Sequence, residues 1–105
     1  MADFMKILQQ AQEMQGKFQK VQEELAQQTV SASAGGGMVT VEANGQGTVR
    51  SIKIDPSVVN AADVEMLEDL VLAAVTEVQR KAQAAAQEEM GKLTGGLNLP
   101  FKLPF

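Results

Sequence analysis

VSASAGGGMVTVEANGQGTVRSIKIDPS, residues 30 to 57, decides how this chain folds. Val30, Ala32 and Ala34 alternate with Thr29, Ser31 and Ser33, and Val39, Val41 and Ala43 alternate with Met38, Thr40 and Glu42. Ile52 and Ile54 alternate with Ser51 and Lys53. A period of two is that of a half-buried strand, so three short strands are expected. Gly35-Gly36-Gly37 separates the first pair and Asn44-Gly45-Gln46-Gly47 the second, where the Asn-Gly step suits a positive φ. An antiparallel meander follows. A phosphate-cradling loop would need Gly-Lys-Ser/Thr running into a helix; here a strand follows the glycines, so they read as a hairpin turn.

Upstream the period changes. Phe4, Ile7, Ala11, Met14, Phe18, Val21 and Leu25 recur in alternating steps of three and four, a heptad seam. Gln, Lys and Glu, all good helix formers, fill the other faces, and Gly16 is the one weak position. A helix over about residues 3 to 28 would be roughly 39 Å long. A compact domain of this size has a radius of gyration of only about 13 Å, so the helix must overshoot its globule.

Downstream, Asp55-Pro56 predicts a strand end followed by a short helical turn. Asn60, with Asp63 three residues on, resembles the cap of a second long helix, whose first turns carry Glu65, Glu68 and Asp69. Its first half presents Val64, Leu67, Leu70, Val71, Ala74, Val75 and Val78, wide enough to pack on a sheet and on something else. From Gln79 to Met90 the apolar face dwindles to Ala82, Ala85 and Ala86, so the distal half is expected to project into solvent. Fraying is expected after Gly91, which gives one domain over residues 1–93 and a flexible tail over 94–105, with Pro100 and Pro104.

Composition narrows the chemistry. At 105 residues the chain is one domain and small for a self-sufficient core, which makes a partner chain plausible. It has no Cys and no His, so thiolate nucleophiles, zinc fingers and the usual neutral-pH proton shuttle are absent. The carboxylates of Glu65, Glu68 and Asp69 are explained by the helix dipole, and Ser31, Ser33 and Ser57 have no base to activate them. No enzyme, cofactor, metal or small-molecule substrate is expected. No apolar run approaches a membrane span or a signal-peptide core, so a cytoplasmic protein with no membrane partner is expected.

The formal charge is −4, divided as −1 over residues 1–28, 0 over 29–55 and −3 over 56–105. Charge alone argues mildly against nucleic acid. Yet the ends expected to project hold Lys6, Arg80, Lys81 and Lys92, with Lys17 and Lys20 farther in. The exposed seam and the broad face of the second helix need cover, and a homodimer is the simplest source of it. Leu67, Leu70, Val71, Ala74 and Val78 are the expected interface. A coiled-coil or chaperone-like module that grips protein and leaves DNA alone is the alternative.

Gly37-Met-Val-Thr-Val with Gly45 and Gly47, then IKIDPS at 52–57, EMLEDLV at 65–71 with Ala73-Ala74, and GGLNLP at 95–100 follow one another in an order that resembles the bacterial YbaB/EbfC family. The resemblance covers essentially the whole chain. It implies an α+β fold in which a long N-terminal helix, a three-stranded antiparallel meander and a long C-terminal helix form a tweezers-like homodimer with projecting helices. It further implies a nucleoid-associated, non-enzymatic protein that binds duplex DNA, helps to organise the nucleoid and takes part in gene regulation. Such a protein would hold phosphates electrostatically, and Lys6, Lys17, Lys20, Arg80, Lys81 and Lys92 are the residues to which that role is assigned here.

Overall fold

The heptad segment is helix α1 (Ala2–Gln27), the alternating segments are β1 (Val30–Ala34), β2 (Val39–Ala43) and β3 (Val49–Ile54), and a second long helix, α2, spans Val64–Gly95. These elements come from a computed structural model that describes residues 2–95. The strands form one antiparallel sheet in the order β1-β2-β3. Val41 lies opposite Ala32 on one side and Ile52 on the other, and Val39 lies opposite Ala34 and Ile54. These apolar residues therefore share one face of the sheet, as the alternation predicts.

Helix α2 crosses that face over β1 and β2. Ala32, Val39, Val41, Ala43, Ala74 and Val78 form the buried cluster, with Leu67, Leu70, Val71 and Val75 packed around it. Because α2 covers the first two strands, Ile52 and Ile54 on β3 stay 46% and 39% exposed although they point to the apolar side. Glycines shape the turns for two different reasons. Gly35, Gly36, Gly37 and Gly47 have positive φ, which glycine alone adopts cheaply. Gly45, where the Asn-Gly step suggested positive φ, instead lies against α1: a Cβ there would be 2.8 Å from the Leu25 carbonyl oxygen. Its N–H donates to that same oxygen at 2.8 Å, and buried Asn44 holds the turn by accepting from the N–H groups of Gln46 and Thr48.

We expect Gly45→Ala to cost about 1–3 kcal/mol through this backbone clash, and Gly16→Ala, which meets nothing within 4 Å, to stabilise α1 by up to about 1 kcal/mol. Thermal melts of the two variants should move in opposite directions.

Between sheet and α2 the chain makes a short turn, Pro56–Val58, whose cap Asp55 accepts the Ser57 N–H at 2.9 Å. That bond holds the Asp55 carboxyl below its ordinary value. Asn60 closes a turn of its own by accepting from Ala62, and Asp63, one residue before α2, is the cap, accepting the Met66 N–H at 3.2 Å. The long helix thus starts three residues later than an Asn60 cap would place it.

The distal half of α2 does not stand free as its composition suggested. Ala82 is 1% exposed and Met90 7%, with Ala85, Ala86 and Leu93 half-buried, because α1 packs along α2. Helix α2 also runs through Gly91 to Gly95, so the boundary expected at residue 94 falls within its last turn; residues 96–105, which hold nearly all of the expected tail, lie outside the described residues. What overshoots is α1. Residues 3–13 are all exposed, and the described chain measures 72 × 24 × 16 Å with a radius of gyration of 19.7 Å.

Candidate nucleic-acid interface

The six cations singled out in the sequence divide into two groups. Lys6, Lys17 and Lys20 are exposed on α1, and their spacing of eleven and three residues places them within about 60° of one another around the helix. Helical order makes this a row about 21 Å long, with Lys6 and Lys20 turned away from the apolar seam and Lys17 at its flank. Glu13 and Glu24 share that face, so the row is of mixed sign.

The cations of α2 are engaged. The Arg80 guanidinium grips Glu77 through two hydrogen bonds of 3.0 and 2.7 Å, which hold the Glu77 carboxyl below its ordinary value and raise that of Arg80. Lys92 faces Glu89 at 3.6 Å. Lys81 does not stand at a projecting tip: its Nζ donates to the Ser31 carbonyl oxygen on β1 at 3.1 Å, level with the sheet. The six residues therefore do not converge on one point. Among the described residues Lys6, Lys17 and Lys20 make no ion pair.

Sequence reading overlooked Arg50. From β3 its guanidinium donates to the Ala26 carbonyl, placing positive charge at the C-terminus of α1, whose own last turn has no basic residue. Also overlooked was the amide-lined cleft where α1, the β2–β3 turn and α2 meet. Gln46 Nε2 donates to the Gln22 carbonyl, Gln79 Nε2 donates to that of Gly47, and Gln83 lies beside them. Gln22, Gln79 and Gln83 are spread along two helices and Gln46 stands in a turn, so they give no signal until these elements are brought together.

The expected interface residues are also divided. Ala74 and Val78 are fully buried against the chain's own sheet and present nothing to a partner, and Leu70 packs against Gly35. Leu67 and Val71 instead line a shallow apolar cleft with Ile54, Leu72 and Val75, where Leu72 is 65% exposed. Among the described residues no helix is long and apolar enough to cross a membrane.

Two long helices on a small sheet, one extending well past the core and displaying a lysine row, define a binding scaffold with a helical arm. Residues 1–97 match the YbaB/EbfC DNA-binding family, and the chain belongs to that family. It is 54% identical over 103 residues to a nucleoid-associated protein of Gemmatimonas aurantiaca, an alignment covering 98% of this chain and 99% of that one. It is 49% identical over 107 residues to a nucleoid-associated protein of Agrobacterium fabrum, covering 100% of both. The crystal structure of the uncharacterized protein HP0035 from Helicobacter pylori has the same fold, with a TM-score of 0.65 at 23% identity over 74% of this chain and 90% of that one.

Proposed function

We propose that the chain works as a nucleoid-associated homodimer that holds duplex DNA through phosphate contacts, without catalysis, and so helps to organise the nucleoid and to regulate genes. Membership of a DNA-binding family over residues 1–97 carries this reading. The lysine row supports it chemically, because exposed cations at helical spacing can follow a phosphate backbone and release its counterions. Lys6, Lys17 and Lys20 make the principal contacts, and Arg80, Lys81 and Lys92 contribute less, each being held by a partner in its own chain. Such contacts position the protein without reading sequence. Binding of random and defined duplexes, measured at two salt concentrations, tests this: affinity should fall steeply with salt, and an unshifted duplex at low salt would defeat the reading.

Two copies meet, in this proposal, across the β3 edge and the adjoining face of α2. β3 lies at the edge of the sheet, and an exposed apolar edge strand is a template for pairing. Ile52, Ile54, Leu67, Val71, Leu72 and Val75 then lose water together, and the pair brings two lysine rows into one particle. Changing Ile54 and Leu72 together to Asp should raise the dimer dissociation constant by on the order of a thousandfold, since a buried unpaired charge costs several kcal/mol. Both side chains are exposed in the single chain, so the separated chains should keep their helical signal. Sedimentation checks the mass and circular dichroism the fold.

A further inference from the structure

The α1 seam loses its cover toward the N-terminus. Leu25 is 1% exposed and Val21 and Met14 are half-buried, but Phe18 is 44% exposed, Leu8 45%, Phe4 61% and Ile7 62%. The heptad pattern nevertheless continues unbroken to Phe4. The proposed β3 interface lies on the sheet and on α2, so pairing there leaves this stripe uncovered.

We propose that the N-terminal half of α1 pairs antiparallel with the same segment of a second copy, linking particles tip to tip. The charges and side chains that flank the seam select this occupant and its direction. When two copies cross antiparallel, centred on Gln9, the seam layers are Phe4 over Met14 and Ile7 over Ala11, each repeated by the two-fold axis. On one flank Leu8 of one copy meets Leu8 of the other. On the opposite flank Gln10 meets Gln10, and Asp3 of each copy meets Lys17 of the other, two ion pairs per contact. Parallel pairing would set Asp3 against Leu8 and leave Lys17 facing Gln22, with no ion pair and an apolar side chain against a carboxylate. The antiparallel register thus satisfies the exposed Leu8 as well as the charges.

Lys6 and Lys20 lie on the outer side of the paired helices, so a tip contact leaves them facing outward. Resting on the DNA-binding dimer proposed above, this contact joins two dimers and hence two duplex segments. It supplies a bridging mode that phosphate binding alone does not.

The test is the mass of the DNA-free protein by light scattering over a concentration series. Ile7→Glu with Leu8→Glu should halve the wild-type mass at high concentration with no loss of helical signal, because both side chains are solvent-exposed in the single chain. Asp3→Lys alone and Lys17→Asp alone should each produce the smaller particle, because each sets like charges opposite. Mixing those two variants, or combining both changes in one chain, should restore the larger particle. Halving is expected whether the basic particle is one chain or two, so failure of the β3 dimer shows in the absolute mass and failure of the tip contact in the ratio. A mass unchanged by the Ile7/Leu8 variant would overturn the proposal, as would failure of the mixture to reassemble. A changed melting temperature at constant mass would place the chain's own residues beyond 95 on the seam and would overturn it too.

Discussion

Val78→Asp should leave the chain without a cooperative unfolding transition at neutral pH. Val78 is 0% exposed, in a cluster whose other buried members are Ala32, Val39, Val41, Ala43 and Ala74, none of which can solvate a carboxylate. The one buried polar side chain among the described residues, Asn44, already accepts two backbone N–H groups through its Oδ1. An uncompensated charge there costs several kcal/mol. A domain of this size has about 5–15 kcal/mol in total, and a single sheet with one covered face is expected near the low end of that range. Val78→Ala, which removes two methyl groups without adding charge, should cost only about 2 kcal/mol and keep a sharp melt. Burial raises the pKa of an introduced carboxyl, so the penalty of Val78→Asp should recede as pH falls and the group becomes neutral. Leu72→Asp on the same helix is the control. Leu72 is 65% exposed, and its change should leave the fold of the single chain standing. Urea titrations of the four proteins, followed by circular dichroism, decide the matter. A cooperative Val78→Asp chain with near wild-type stability would mean that α2 does not pack on β1 and β2.

Period and turn chemistry made most of this architecture readable. The alternation of Val39, Val41 and Ala43 located the central strand, and the seam from Phe4 to Leu25 located α1, because each pattern is local and repeats several times. What escaped was set by neighbours distant in sequence. Gly45 is glycine because Leu25 comes close, a reason invisible in the dipeptide Asn44-Gly45. The distal half of α2 looked bare because Ala82, Ala85 and Ala86 offer little surface, yet small side chains let another helix approach closely. A signal was present: beyond Val78, which packs on the sheet, Ala82, Ala86, Met90 and Leu93 recur at steps of four and three, a second seam that faces α1. The candidate site was legible in the same uneven way. Arg80–Glu77 and Lys92–Glu89 are i, i+3 pairs that the sequence displays, whereas the bond from Lys81 to Ser31 spans fifty positions and needed the fold.

That division of the cations fixes what charge reversal should do to DNA binding. Lys6→Glu, Lys17→Glu and Lys20→Glu in one chain remove three cations from each protomer and six from a dimer. At about 0.9 per phosphate contact, the log–log dependence of affinity on salt should flatten by up to about 5 units, with a loss at low salt on the order of a thousandfold or more. The loss is large because the scaffold is acidic, at −4 per chain, and has little positive charge in reserve. Arg80→Glu with Lys81→Glu should cost less. Arg80 must give up both Glu77 oxygens to reach a phosphate, and Lys81 must leave the Ser31 carbonyl, so their wild-type contribution is partly cancelled in advance. Lys53→Glu, on exposed β3 and away from α1, should leave affinity nearly unchanged. All of these positions are exposed in the single chain, so helical signal should stay close to wild type. Working below the concentration at which tips pair, with sedimentation checking that each variant keeps the dimer mass, makes the comparison report on binding. Fluorescence anisotropy with a labelled duplex at several salt concentrations ranks the variants. A greater loss for the Arg80/Lys81 pair than for the α1 lysines would move the contact surface to α2. Equal losses that include Lys53 would move it to the sheet, because phosphate contacts add up only where the backbone runs.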